Sequence, residues 1–216
     1  ALKTFQVAEN LGLRRIYDLP IGYWRAAKQT FQEERGLQPE WACTLTGLDD
    51  SSAKLDRKDI RCLLVGSAQG RDDYRRELEN RITLHSLEEV IRIVDHCDDM
   101  PAAYKLTDLV VSASTDPEAF GRIICEAQAM GRPVIASDHG GARETVLPGV
   151  TGWLTPPGDA DALAMALEVG LALNGAARTK LAAIAIEHVR KNFSKNQMCD
   201  KTLDVYNEVL AARGRS

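Results

Sequence analysis

Short β-branched runs alternate along this chain with stretches whose apolar residues recur every three or four positions, the pattern of strands interleaved with amphipathic helices. Leu109-Val110-Val111 and Pro133-Val134-Ile135-Ala136 are too short for helices and rich in β-branched side chains, so both predict buried strands. Between them Ile123, Ile124, Ala127 and Met130 keep helical spacing, and Gly131-Arg132-Pro133 is a stop signal. Strand, loop, helix, strand is a crossover unit and implies a parallel sheet. Upstream, 60–65 and 90–94 predict strands around a helix over 72–82, with Glu77 and Arg81 an (i, i+4) pair on its wet face and 83–89 a continuation of it or a connection. A short helix over 100–106 precedes the strand at 109. Downstream come a strand over 152–154, a helix capped by Asp159 or Asp161 and running to about 173, then helices over 176–191 and 195–212 before a frayed end from 213.

The first 59 residues read differently. A short helix over 1–12 ends at Gly12, a strand over 13–19 is closed by Pro20, and a helix over 23–35 stops at Gly36. Residues 38–50 are turn-rich, and Ser51-Ser52 suits the cap of a short helix through 58. The expected organisation is a mostly helical amino-terminal βα appendage over 1–59 and a domain over 60–216. The fold class is α/β, a Rossmann-like doubly wound parallel sheet.

In such sheets ligands bind outside the carboxyl ends of the strands, where Glu118, Phe120-Gly121 and the start of the following helix should lie. A helix start offers free N–H groups to a phosphate, and a carboxylate there accepts from sugar or ribose hydroxyls. Taken alone, Glu118 reads equally as a loop carboxylate or cap, and Glu126 as one charge on a wet helix face. Gly140-Gly141, just after a strand, is a turn or an anion nest of bare amides, Glu144 is a first-turn acid, and Ser114 and Thr115 either face the same crevice or only end a strand. Gly66 to Gly70 lacks the lysine and serine of a nucleotide-triphosphate loop.

Glu118 and Glu126, with Phe120-Gly121 after the first and Glu-Ala-Gln-Ala-Met-Gly-Arg-Pro-Val-Ile-Ala-Ser from the second, resemble the E-x7-E signature of retaining GT-B glycosyltransferases of family 4. His139-Gly140-Gly141-Ala142-Arg143-Glu144 resembles that family's glycine-rich turn, and Gly149 to Leu154 its next strand, so the likeness covers about residues 60–211. Residues 16–25 and 37–42 are similar to part of the amino-terminal acceptor domain of some family 4 enzymes. The resemblance implies a donor-binding GT-B domain, with Glu118 at the sugar hydroxyls as the catalytic carboxylate and Glu126 at the nucleotide ribose. Phe120, Gly121, Arg122, Gly140, Gly141 and Ser114 would complete the donor site, with backbone amides near Gly121 on the phosphates. In the family an arginine and a lysine also face the phosphate; Arg25, Lys28 and Arg71 are the available replacements.

The family's sheet runs 3-2-1-4-5-6 and its first strand lies centrally, ahead of the one at 60. A gap there would leave backbone groups of two buried strands unpaired, so residues 14–19 and the helix 23–35 are expected to stand in as strand and crossover. GT-B catalysis needs two such domains, on the order of 300 residues. With 216 residues the expectation is one domain with an appendage, an acceptor domain supplied by a second chain, and nucleotide-sugar binding ahead of autonomous turnover.

Composition narrows the classes further. A net charge of -4 argues against nucleic acid as partner, no run reaches the length of a membrane span, and the first residues lack a signal peptide's apolar core. The 5 cysteines are scattered without a Cys-x-x-Cys pair, which fits a reducing cytoplasm, with the inner membrane face as a peripheral site of action. The 4 histidines show no ligand spacing, Asp159-Ala160-Asp161 reads as a cap, and no metal or cofactor is expected; only His139, beside the glycines, is placed to touch a ligand. The expected ligand is a UDP- or GDP-sugar and the expected acceptor a saccharide or lipid-linked glycan in cell-surface polysaccharide or lipopolysaccharide synthesis. Two other readings remain: a non-catalytic nucleotide-sugar-binding or interaction protein of the same descent, and a nucleotide-sugar epimerase, for which no acid–base set is present.

Overall fold

A computed structural model describes the backbone of residues 14–18 together with residues 60–66 and 72–213. The helices expected over 1–12, 23–35 and 51–58, the loop 67–71 with Arg71, and Arg25 and Lys28 lie outside the described residues. The described elements are β1 Arg14–Asp18, β2 Ile60–Val65, α1 Asp72–Leu84, β3 Ile91–Val94, α2 Met100–Leu106, β4 Leu109–Ser112, α3 Arg122–Ala129, β5 Val134–Ser137, α4 Ala142–Thr145, β6 Gly152–Thr155, α5 Ala160–Ala172, α6 Gly175–Asn192 and α7 Lys195–Arg213.

The strands form one parallel sheet in the order β3-β2-β1-β4-β5-β6. β1 lies at its centre: Ile16 stands opposite Cys62 on one side and Leu109 on the other. Its backbone groups therefore complete the ladders of β2 and β4, which would otherwise face an unpaired gap. The period-2 alternation of each strand sorts its side chains between two helical layers. Leu63, Val65, Val110, Val134 and Ala136 pack with Tyr104 of α2 and with Ile124 and Ala127 of α3. On the opposite face Ile60, Leu109, Val111 and Ile135 meet Leu163, Ala166 and Leu171 of α5, while Cys62 and Leu64 meet Leu78 and Ile82 of α1. Because both faces are covered, β4 and β5 are buried along their whole length and read as apolar runs that end in Ser112 and Ser137.

Side-chain caps fix the helix starts. Asp159 accepts from the Ala162 amide at 2.8 Å, which settles the choice between Asp159 and Asp161. Asn174 accepts from the Ala177 amide at 2.9 Å, so α6 starts one residue before the expected 176. Asp99 caps α2 in the same way at 3.1 Å. The Glu77–Arg81 pair forms at 2.9 Å, and Arg75 adds Glu79 at 3.0 Å. Gly131 ends α3 at φ +70, and an added Cβ would stand 3.0 Å from the Cβ of Ala182, so glycine there serves both the turn and the seat of α6.

The strand order reverses between β1 and β4, which opens a crevice at the carboxyl ends of the strands on that side. α7 is unlike the other long helices, with Met198, Leu203, Val205, Tyr206, Val209 and Leu210 all at least half exposed. Among the described residues no single helix is long and apolar enough to cross a membrane.

Candidate functional site

Two loops build the crevice, one leaving β4 and one leaving β5. Ser112, Ser114, Glu118 and Gly121 line it from the first, and Ser137, His139 and Ala142 from the second. The Ser114 hydroxyl donates to Oε1 of Glu118 at 2.8 Å, and Nε2 of His139 donates to the Ser114 carbonyl at 2.8 Å. A carbonyl only accepts, so this contact fixes the proton on Nε2 and leaves Nδ1 as the other ring nitrogen, buried and unpartnered among the described residues. Further along, the Gly141 amide donates to the Glu118 carbonyl at 2.8 Å.

The paired glycines therefore act first through close approach. A Cβ on Gly141 would lie 2.6 Å from Cα of Phe120, and one on Gly140 would collide with the Glu118 carbonyl. With its amide bound to Glu118, Gly141 is not a free donor, so the nest reading of the pair loses that group. Gly121 opens α3 at φ +71 without a side-chain cap; the Ile124 N–H donates to the Gly121 carbonyl at 3.0 Å, and the Arg122 and Ile123 N–H groups ahead of it are in the condition that attracts an anion.

Glu126 belongs to a second group, beside the crevice rather than lining it. Its Oε2 accepts from the Tyr104 hydroxyl at 3.1 Å and its Oε1 from the Arg122 guanidinium at 3.1 Å. Tyr104 is 1% exposed, while the Arg122 side chain is 76% exposed. Burial, reinforced by the neighbouring Glu126 charge, pushes the Tyr104 hydroxyl far above its usual pKa, so it stays a donor. Burial first and Glu126 second push the adjacent Cys125 thiol up to about 12.

Of the residues singled out in the sequence, Ser114, Glu118 and Gly121 converge on the crevice, and Gly140 and Gly141 brace it from behind. Arg122 and Glu126 pair with each other. The Phe120 ring turns out of the crevice to an edge contact with Phe193, centroids 5.8 Å apart. Ser112 and Tyr104 were not marked by any motif and Ser137 only closed the run that follows Glu126, although both serines could have been found as the polar ends of two otherwise apolar strands. No group of three or more His, Cys, Asp or Glu side chains among the described residues converges as metal ligands do. The crevice is a shallow depression open to solvent, with about 200 Å³ of space between its lining atoms and the outside.

This sheet order with its crevice at the switch point is that of a Rossmann-like doubly wound domain, and solved GT-B glycosyltransferases share it. A glycosyltransferase from Rickettsia africae superposes with a TM-score of 0.76 at 28% identity, over 97% of this chain and 52% of its own. The Anabaena protein HepE, solved in complex with UDP and glucose, superposes at 0.72 with 27% identity, over 94% of this chain and 51% of its own. The family described as Glycosyl transferases group 1 matches residues 45–172, and the chain belongs to it. A curated relative, the phosphatidyl-myo-inositol mannosyltransferase of Mycobacterium leprae, is 34% identical over 158 residues, which cover 72% of this chain and 40% of that protein. The chain thus spans about half, or less, of the length of these relatives.

Proposed function

We propose that this chain is the donor-binding half of a retaining family 4 glycosyltransferase. It binds a nucleotide-diphosphate sugar and passes the sugar to a saccharide or lipid-linked acceptor in cell-surface polysaccharide or lipopolysaccharide synthesis. One observation carries the reading: the Glu118 carboxylate stands over the crevice with a single hydroxyl donor from Ser114, leaving acceptor positions for sugar hydroxyls. Cleaving the bond from sugar to diphosphate puts negative charge on the leaving phosphate and positive character on the ring. Uncapped amides at the start of α3, with exposed Arg122 on its first turn, suit the phosphate; Glu118 holds the ring. Glu126 takes the ribose. HepE's complex with UDP and glucose favours a uridine nucleotide as the first to try.

The crevice supplies one wall, and the acceptor wall comes from outside the described residues, either from a second chain or from a further domain. The exposed apolar stripe of α7 supports such a neighbour, since residues of that kind are normally covered. The work is assigned to the cytoplasm, at the inner face of the membrane where lipid-linked acceptors sit. Calorimetric titration of UDP, GDP and ADP, beside a time course of nucleotide release from the matching sugar donor, tests the proposal. One nucleotide should bind, with Glu126→Ala abolishing it. No affinity for any of the three would refute a donor site, and binding without release would leave a nucleotide-sugar binder.

A further inference from the structure

Glu126 is a helix-surface carboxylate, and a free one would sample several rotamers and present its oxygens in no fixed direction. Two side chains constrain it here, and they are not equivalent. Arg122 comes from one turn earlier on the same helix and is largely solvated, so its hold is the weak one of an exposed (i, i+4) pair. Tyr104 comes from a different helix, α2, and its ring is locked in the core against Val110, Ile124 and Val134. Its hydroxyl reaches Oε2 from a fixed point, and a donor that cannot move fixes the plane of the carboxylate it holds.

Each carboxylate oxygen has two acceptor positions. With Arg122 on Oε1 and Tyr104 on Oε2, one position stays open on each oxygen among the described residues. An open acceptor on each oxygen of one held carboxylate matches two adjacent hydroxyls, such as the 2′ and 3′ hydroxyls of a ribose. We propose that Tyr104 is a positioning residue that turns Glu126 into a reader of a vicinal diol, and so gives the site its preference for ribonucleotides over 2′-deoxyribonucleotides. The inference rests on the donor-site reading of Glu126 and adds the residue that makes it selective.

The test compares the tighter-binding of UDP and GDP with its 2′-deoxy counterpart by calorimetry, in the unaltered chain, in Tyr104→Phe and in Arg122→Ala. The unaltered chain should favour the ribonucleotide by about tenfold or more, the scale of a hydrogen bond to a charged group. Tyr104→Phe should shrink that ratio to about threefold or less by weakening the ribonucleotide alone, and Arg122→Ala should leave most of it. A tyrosine that only filled the core would lower both affinities together, so an unchanged ratio in Tyr104→Phe overturns the proposal. If that variant does not fold, Glu126→Gln leaves the tyrosine in place and must show the same collapse of the ratio; a retained ratio overturns the proposal there too. An unaltered chain that binds neither nucleotide refutes the donor site itself, whereas one that binds both forms equally refutes only diol reading.

Discussion

The two glutamates of one sequence motif end up in opposite physical situations. Glu118 sits in an irregular loop, and its place is set by another loop: Gly141 donates to its carbonyl, and Ser114, itself held by His139, donates to its carboxylate. Glu126 sits on regular helix, and its place is set by its own turn and by one buried tyrosine. The first is a product of tertiary contact and faces open space in the crevice. The second is a product of local helix geometry and is already half satisfied. Equal spacing in sequence therefore does not mean equal sensitivity: Glu118 is the more easily displaced, and Glu126 the more easily retuned.

That contrast can be broken most severely at Gly141. Gly141→Val places side-chain atoms against the Phe120 backbone, and overpacking of this kind costs about 3 kcal/mol. Urea unfolding should show the loss, and any surviving fold should have lost the Glu118 site while Glu126 and Tyr104 stay paired. Ser114→Ala removes one donor to a carboxylate and should cost about 1 kcal/mol in sugar-dependent binding, with the bare nucleotide bound as before. Arg122→Ala should change unfolding free energy by only about 0.3–0.5 kcal/mol, as exposed (i, i+4) pairs do.

Cys125 offers the finest readout, since it reports on the Glu126 side alone. Its folded pKa of about 12 lies above the ordinary 9.0. Below pH 9 the thiol is protonated folded or unfolded and contributes nothing to the pH dependence. Between 9 and 12 the unfolded chain loses the proton first, so stability falls as pH rises through that window. At pH 8 a thiol reagent should modify exposed Cys199 and leave Cys125 untouched. Glu126→Gln should lower the Cys125 pKa only slightly, because burial is the larger cause.

Much of the fold was legible because strands covered on both faces must be apolar throughout, and helices between them must keep a 3.6 period. β4, α3 and β5 follow from those two rules within a residue or two at each end. The strand at 14–18 was legible by a different route: the resemblance implied a central strand ahead of residue 60, and a hole there would leave backbone groups unpaired; the helix paired with it in that expectation lies outside the described residues. Asp159 was recognisable as a cap because a Pro-Pro-Gly turn stands before it and an apolar helix after it. The Tyr104–Glu126 bond was not legible, because its partners are 22 positions apart with the strand β4 between their helices and no periodicity links them. The glycine pair showed that a turn was needed but not why; the collision with the 118–120 backbone appears only once the two loops are side by side.

The claim on which the rest depends is that the two carboxylates serve different parts of one ligand. Calorimetry of a nucleotide and its sugar-bearing form, with Glu118→Gln and Glu126→Gln, tests it in one series. Glu118→Gln should erase the difference in affinity between the two ligands and leave the bare nucleotide unchanged, while Glu126→Gln should weaken both ligands equally. Identical losses in the two variants, or no loss in either, would contradict the account.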